Sequence, residues 1–430
     1  MRVKKLIYDL GVKFRNPSYK IALSELKSSE LDSRKTLEQA AFEKIKRLLV
    51  FSKVHSAYYK EVFVNSNFDP EIDFNKIEDL NKIPIISKEI LINHNSSIDT
   101  TGNYKFAKLF FSETSGTSGQ TLTFFKNEEW DSFHRASIAR GLSWHNVNVW
   151  ERNGYFWGYS FSIFAKIKTK LLDFLMNRFR VFSYSETDLA GFISKACSAK
   201  YLHGYSSMIY EVAREVNKKN IKFDNIKLVK ATSEKIYDHY QSEIIKAFGR
   251  KAISEYGAAE SGIIAFECEH GSMHVNEETC YIEIVNNKIV VTNLYSFSFP
   301  IIRYELGDYV KVSNVQCKCG RNHKVVEEIL GRVGKNILGN DGKKFPSLTL
   351  YYIFKILGTE QNLELNYKAV QNEIGKLDIF IEQKLTDNQK YLVMETGNRY
   401  LGDSVDIIVY DGESIHSKNK KLTDFVSTLE

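Results

Sequence analysis

Three short stretches carry residues suited to phosphate chemistry. The first, Ser112 to Gln120, reads Ser-Glu-Thr-Ser-Gly-Thr-Ser-Gly-Gln. Gly116 and Gly119 let the backbone approach an anion, and Ser115, Thr117 and Ser118 add hydroxyls beside successive N–H groups. The Gly-Lys-Ser/Thr ending of a Walker loop is absent. The same composition also suits a solvated hairpin turn. The second stretch, Ser254 to Glu260, contains Tyr256, Gly257, Ala258 and Glu260. It closes a strand and enters a small-residue turn, and strand ends of open α/β sheets are where ligands bind. There a tyrosine can stack on a base, and Glu260 can hold Mg²⁺. The third, Pro300 to Asp308, ends in Gly307-Asp308, read as a turn whose carboxylate can accept from two ribose hydroxyls. Gly331-Arg332 follows.

A second group of residues suits a metal. Cys317-Lys318-Cys319-Gly320 forms a tight knuckle, with Cys268, His270 and His274 upstream. Thiolates with imidazole favour tetrahedral zinc. The best four ligands are Cys268, His274, Cys317 and Cys319, with His270 or His323 as substitutes. The competing reading is ordinary buried thiols and surface histidines. Cys197 and Cys280 read as core residues.

These residues need elements to position them. Residues 1–90 read as helical, with Leu37, Ala40, Ala41, Ile45, Leu48 and Leu49 at spacings of three and four. Ile83-Pro84-Ile85-Ile86 predicts an extended segment, followed by a helix capped by Ser87. Lys108–Ser112 and Thr121–Phe125 predict strands on either side of the polar loop. Further on, Ile193–His203 and Ser207–Lys218 predict helices, Ile226–Ala231 a strand, Tyr237–Phe248 a helix and Lys251–Tyr256 a strand. That alternation implies a parallel α/β sheet. Residues 280–315 predict short antiparallel strands. After Gly331 the pattern returns to strand–helix–strand, with strands at Asp378–Glu382 and Asp406–Tyr410.

In this order the motifs resemble the adenylate-forming (ANL) superfamily, and within it the phenylacetate–CoA ligase branch that includes capsule-biosynthesis CapK-like proteins. The family's phosphate loop is matched by Ser115–Gly119. Its Tyr-Gly-x-x-Glu motif is matched by Tyr256, Gly257 and Glu260, and its Tyr-Arg-x-Gly-Asp motif by Tyr304, Gly307 and Asp308, with Glu305 where Arg is usual. Gly331 and Arg332 match the hinge motif, Ser233 and Glu234 a nucleotide contact, and Ile83–Lys88 a segment typical of the branch. The Cys268–His274 spacing with Cys-x-Cys-Gly-Arg resembles a zinc site of some members. The resemblance implies an α/β fold: a large adenylating domain over 1–331, led by the helical region 1–90, and a small mobile α+β domain over 332–430. It implies ATP-dependent activation of a small carboxylic acid, an amino acid included, through an acyl-adenylate. The acyl group then passes to CoA or to an amine, such as a surface polysaccharide precursor. ATP/AMP would be held by Ser115, Gly116, Thr117, Ser118, Gly119, Ser233, Glu234, Tyr256, Gly257, Ala258 and Asp308. Glu260 (through Mg²⁺), Arg332 and a C-terminal lysine, best matched by Lys420, would serve catalysis. Two departures stand out. Gly334 and Lys335 replace the usual hinge acids, and no glycine precedes Lys420. They leave room for a non-catalytic nucleotide-binding relative.

Composition sets outer bounds. The chain has 430 residues, 43% hydrophobic and 26% charged, which excludes a wholly disordered protein. A net charge of +6 permits anionic small-molecule partners without calling for nucleic acid. No apolar run approaches a membrane span, and the cysteine count of 5 is a poor disulfide framework, so a reduced, cytoplasmic setting is expected. A homodimer is compatible with all of this. Phe161–Tyr184 interleaves Lys166, Lys168, Lys170, Arg178 and Arg180 with apolar residues, predicting an amphipathic helix. Its simplest role is to face the core. The other is to meet an anionic membrane or polysaccharide.

Overall fold

A computed structural model describes all residues except 1, 115–121, 157–162, 181–185, 237, 314, 333–335, 413–414, 416–423 and 430, and leaves some further side chains undescribed, Arg332 among them. The leading region is helical: α1 (Arg2–Arg15), α2 (Tyr19–Ser28), α3 (Arg34–His55), α4 (Ala57–Asn65), α5 (Lys88–Asn93) and α6 (Asn95–Ile98). Side-chain caps start three of these helices. Ser33 accepts the Thr36 N–H, Ser56 the Tyr59 N–H and Ser87 the Ile90 N–H. The stripe Leu37, Ala41, Ile45, Leu48 and Leu49 buries one face of α3. The Pro84 segment stays extended, and Ile86 bridges Tyr304 in parallel, exchanging hydrogen bonds with Arg303 and Glu305. That contact fixes where the Tyr304 strand begins.

The middle of the chain builds the main sheet. Strands β1 (Leu109–Glu113) and β2 (Thr123–Asn127) form a separate antiparallel pair, followed by α7 (Glu128–Trp144). Next come β3 (Asn153–Phe156), α8 (Ile163–Leu175), β4 (Arg178–Arg180), α9 (Glu186–Ala196), β5 (Tyr201–Tyr205), α10 (Ser206–Lys218), β6 (Leu228–Thr232), α11 (Asp238–Phe248) and β7 (Ala252–Ala258). Strands β4, β3, β5, β6 and β7 lie parallel in that spatial order. The sheet then turns antiparallel through β8 (Gly262–Glu267), β9 (Met273–Val275), β10 (Cys280–Val285), β11 (Lys288–Asn293), β12 (Tyr304–Ser313) and β13 (Val325–Arg332), reaching 11 strands.

The remainder is smaller. After the pair β14 (Asn336–Leu338) and β15 (Lys344–Pro346) come α12 (Leu348–Gln361), β16 (Tyr367–Gln371), β17 (Lys376–Ile381), α13 (Asp387–Leu401), β18 (Asp406–Asp411) and β19 (Phe425–Ser427). The last four strands form a mixed sheet in the order β18-β17-β16-β19. Its core, from Ile337 to Phe425, shares no residue with the cores of the main sheet.

Three sequence expectations need correction. Tyr201–Tyr205 is a strand, not the end of a helix. Gly204 lies so close to β3 that a Cβ there would sit 2.1 Å from the Phe156 carbonyl oxygen. Long-range pairing decides that segment, not its own periodicity. Gly307-Asp308 lies inside β12 and is not a turn; Gly307, at φ 84°, puts an irregularity into a continuous strand. The helix expected over 161–184 ends at Leu175, and Arg178 and Arg180 belong to β4. Nor does α8 turn its described apolar residues inward, since Leu171 is 60% and Phe174 63% exposed.

Candidate active site

The second and third motifs meet at the junction of the parallel and antiparallel halves. Tyr256, near the end of β7, donates from its hydroxyl to Asp308 Oδ2 of β12 at 2.7 Å. Reciprocally, Tyr304 of β12 lies 3.4 Å from Glu260 Oε1, in the turn between β7 and β8. Each motif therefore supplies one tyrosine and one carboxylate, cross-linked in pairs, and both carboxylates are buried. Gly257 is required at this corner, because a Cβ there would lie 2.3 Å from the Gly262 carbonyl oxygen. Antiparallel register sets Arg332, the last residue of β13, opposite Asp308. The hinge motif thus ends beside the expected ribose carboxylate.

Ser233 follows β6 with φ 67°, a left-handed conformation rarely adopted by a residue with a side chain, and lines the same cavity. Glu234 is placed differently from a bare nucleotide contact. Its carboxylate accepts the Ser207 N–H at 2.9 Å and the Ser206 hydroxyl at 3.3 Å, at the start of α10. Ser115, Gly116, Thr117, Ser118, Gly119 and Lys420 lie outside the described residues, as do Gly334 and Lys335. The hairpin that carries the loop is closed on the described side by the Thr114 N–H to the Leu122 carbonyl, 2.9 Å.

A cavity of about 430 Å³ opens beside Gly257, Ala258 and Ser233 and runs between α7 and one face of the parallel strands. It contains residues that no motif flagged. Lys126 of β2 is 9% exposed and makes no hydrogen bond or ion pair among the described residues, only ring contacts with Phe124 and Trp130. Burial, offset in part by the charges of Asp131 and Glu260, pulls its pKa down to about 8. His134 of α7 is half-buried, its enclosed Nδ1 has no partner among the described residues, and desolvation followed by the Lys126 charge lowers its pKa to about 3. Lys230 and Glu255 form an ion pair of 2.5 Å on the cavity wall. The legible signal for Lys126 was parity: it shares the inward side of β2 with Phe124.

The metal-type residues also converge. The donor atoms of Cys268, His274, Cys317 and Cys319 all lie within 4.8 Å of one another. Cys268 Sγ is 3.7 Å from Cys317 Sγ, and Cys319 Sγ is 3.2 Å from His274 Nε2. Burial raises the Cys268 thiol to about 12, while burial and then the His323 and Arg321 charges keep His274 neutral, near 4. Three sulfurs and one neutral imidazole in this spacing suit a closed tetrahedral zinc site. The two substitutes are not part of it. His323 pairs with Glu278 at 2.8 Å in a buried cluster with Arg140, and His270 meets Cys268 only through its main-chain N–H.

No family model matches the chain. Over 356 residues it is 20% identical to Protein CapK of Staphylococcus aureus, which covers 77% of this chain and 75% of that one. Over 394 residues it is 22% identical to a phenylacetate-coenzyme A ligase of Thermus thermophilus, with 86% of each covered. Among solved structures, 2-hydroxyisobutyryl-CoA ligase in its postadenylation state matches with a TM-score of 0.72 at 14% identity, over 93% of this chain and 91% of that one. The same enzyme in an open conformation matches with a TM-score of 0.64. No described helix is long and apolar enough to cross a membrane. The chain thus shares the fold of 2-hydroxyisobutyryl-CoA ligase along nearly its whole length and is similar, over most of that length, to CapK and to phenylacetate–CoA ligase.

Proposed function

We propose that this protein activates a carboxylic acid as its acyl-adenylate and passes the acyl group to coenzyme A. The observation that carries the reading is the cross-linked corner, Tyr256 to Asp308 and Tyr304 to Glu260, next to a cavity lined by the adjoining Gly257 and Ala258. Asp308 accepts from the ribose hydroxyls, Tyr256 lies against the nucleotide, and Gly257 and Ala258 admit the backbone to it. In the first step a carboxylate oxygen attacks the α-phosphorus, the bond to the β-phosphate breaks and pyrophosphate leaves. In the second, the thiol sulfur attacks the acyl carbon, AMP departs and the thiol proton is lost. Two anions must meet in the first step, so positive charge must stand at the corner. Lys126 supplies a buried ammonium there, with no hydrogen-bond or ion-pair partner among the described residues. Ser115–Gly119, Arg332 and Lys420 take the roles the family resemblance implies. Glu260, a hard oxygen donor at the corner, would hold Mg²⁺, which when bound neutralises charge on the transferring phosphates. Cys268, His274, Cys317 and Cys319 would hold a structural zinc.

The CoA acceptor draws support from the names of the relatives. The resemblance to capsule-biosynthesis proteins supports a second acceptor, an amine on a polysaccharide precursor, attacking the same mixed anhydride. Pyrophosphate exchange with a panel of acids tests the first step. Acyl transfer from the loaded enzyme to CoA or to hydroxylamine separates the acceptors. Folded protein that binds no ATP and exchanges pyrophosphate with no acid would overturn the reading.

A further inference from the structure

A sheet face covered by a helix is ordinarily apolar. The face of β3, β5 and β6 beneath α7 is not. Tyr155, His203 and Lys230 stand side by side in register across those three strands, and Lys230 reaches Glu255 of β7. Asn153, lower on β3, holds His203 Nε2 at 3.2 Å. All five line the cavity.

The wall also carries excess positive charge. Among the described residues, Lys126, Arg135, Arg178 and Lys230 face the cavity against one carboxylate, Glu255. The acids behind the wall do not cancel this. Asp131 is shared by Arg15 and Arg135, and Asp173 by Arg178 and Arg180. Arg180 grips Asp173 through Nε at 2.6 Å and Nη2 at 2.8 Å. Arg178 gives Asp173 only its Nε, at 2.6 Å, and rests on the Tyr155 ring at 4.6 Å. Its remaining N–H groups have no partner among the described residues, and its side chain is 16% exposed.

Arg178 stands at the far end from the nucleotide corner. It pairs with Asn153, level with Tyr201 and Leu228, whereas Gly257 lies five residues past Ala252, the partner of Val229. At about 3.3 Å per residue that is on the order of 20 Å along the strands. A hydrocarbon tail laid here would strip water from the Asn153, His203 and Arg178 groups and replace none of their hydrogen bonds.

We infer that the acid this site activates carries a second anionic group, a carboxylate or phosphate ester, at the end remote from the reacting carboxylate, and that Arg178 receives it beside Asn153 and His203. This rests on the adenylation reading of the cavity. The test uses the full chain with ATP and Mg²⁺. Pyrophosphate exchange is measured for dicarboxylates from succinate to suberate and for phosphoglycerate, each against a monocarboxylate of equal length. Direct binding of the same acids is measured by calorimetry. The expected result is a preference of about 10–100-fold for one di-anionic acid, the worth of one charge-assisted hydrogen bond. Arg178→Gln should collapse that preference and Arg178→Lys should restore part of it; Arg180 keeps Asp173 paired in both. Whether dicarboxylate or phosphate ester wins identifies the group. Exchange that is equal for mono- and di-anionic acids, or a preference that survives Arg178→Gln, overturns the inference and leaves adenylation standing. Arg178-dependent binding of a di-anionic acid without any exchange supports the inference and overturns adenylation. Neither binding nor exchange overturns both.

Discussion

Lys126 shows what a single charge costs when a fold encloses it. Its folded pKa of about 8 lies below the lysine value of 10.5 that the unfolded chain retains, with burial as the chief cause. Between those values the unfolded state binds more protons, so this residue makes stability rise as pH climbs from about 8 to 10.5, and its burial penalty stands in full below pH 8. Replacing it with methionine, between Phe124 and Trp130, should raise stability by up to about 3 kcal/mol. The same change should lower the adenylation rate by about 100-fold or more, since one buried ammonium is worth a few kcal/mol to a developing anionic transition state. In the wild type, acid binding should weaken above about pH 8 as the ammonium is lost. Thermal melts with pH-resolved exchange rates check all three, and a Lys126→Met protein that melts lower and works normally would refute them. Asp308 and Tyr256 form the companion case. Asp308→Ala should abolish measurable ATP binding with the fold retained. Tyr256→Phe keeps the ring and removes one charge-assisted hydrogen bond, so it should cost about 1.5–3 kcal/mol in nucleotide affinity by titration calorimetry.

Elements explain which of these residues could be read in advance. The corner motifs were legible because spacing within one strand and its turn determines them: Tyr256, Gly257 and Glu260 need only β7 to end where a glycine permits it. His203, Arg178 and Lys230 sit on three strands brought to one face only through pairing, and Lys126 reaches the same cavity from the separate β1–β2 pair; a local pattern is blind to both. Tyr201–Tyr205 read as helix for the same reason, because Gly204 reports its closeness to Phe156 only once both strands are laid side by side. The cysteine cluster is intermediate. Its ligands come from the turn between β8 and β9, from β9 itself and from the loop between β12 and β13, yet a two-residue knuckle marks half of it. If zinc ties these elements, elemental analysis should find one zinc per chain. Cys317→Ser should release it and lower the melting temperature, while Cys197→Ser, exposed and remote, should do neither. Metal-free protein whose melting is indifferent to chelator would rule that out.

At the scale of the whole molecule, the apolar residues divide cleanly. One set of cores joins the leading helices to the large sheet, and another, from Ile337 to Phe425, closes on itself around β16, β17 and α12. The proposed nucleotide contacts Ser233, Tyr256 and Asp308 all belong with the first set, whereas Lys420, the lysine the resemblance assigns to catalysis, falls in the last segment of the chain. This partition predicts that binding and chemistry separate. Residues 1–331 made alone should keep an AMP affinity within about tenfold of the full chain, because its contacts are retained. They should lose pyrophosphate exchange, because the charge brought by the C-terminal part is missing. In the full chain, calorimetry should resolve two unfolding transitions, one for each core system. AMP at about 100 times its dissociation constant should stabilise the larger unit by about 2.7 kcal/mol and leave the smaller where it was. A single transition, or an AMP effect shared equally by both, would mean that the small sheet is an integral part of the nucleotide site.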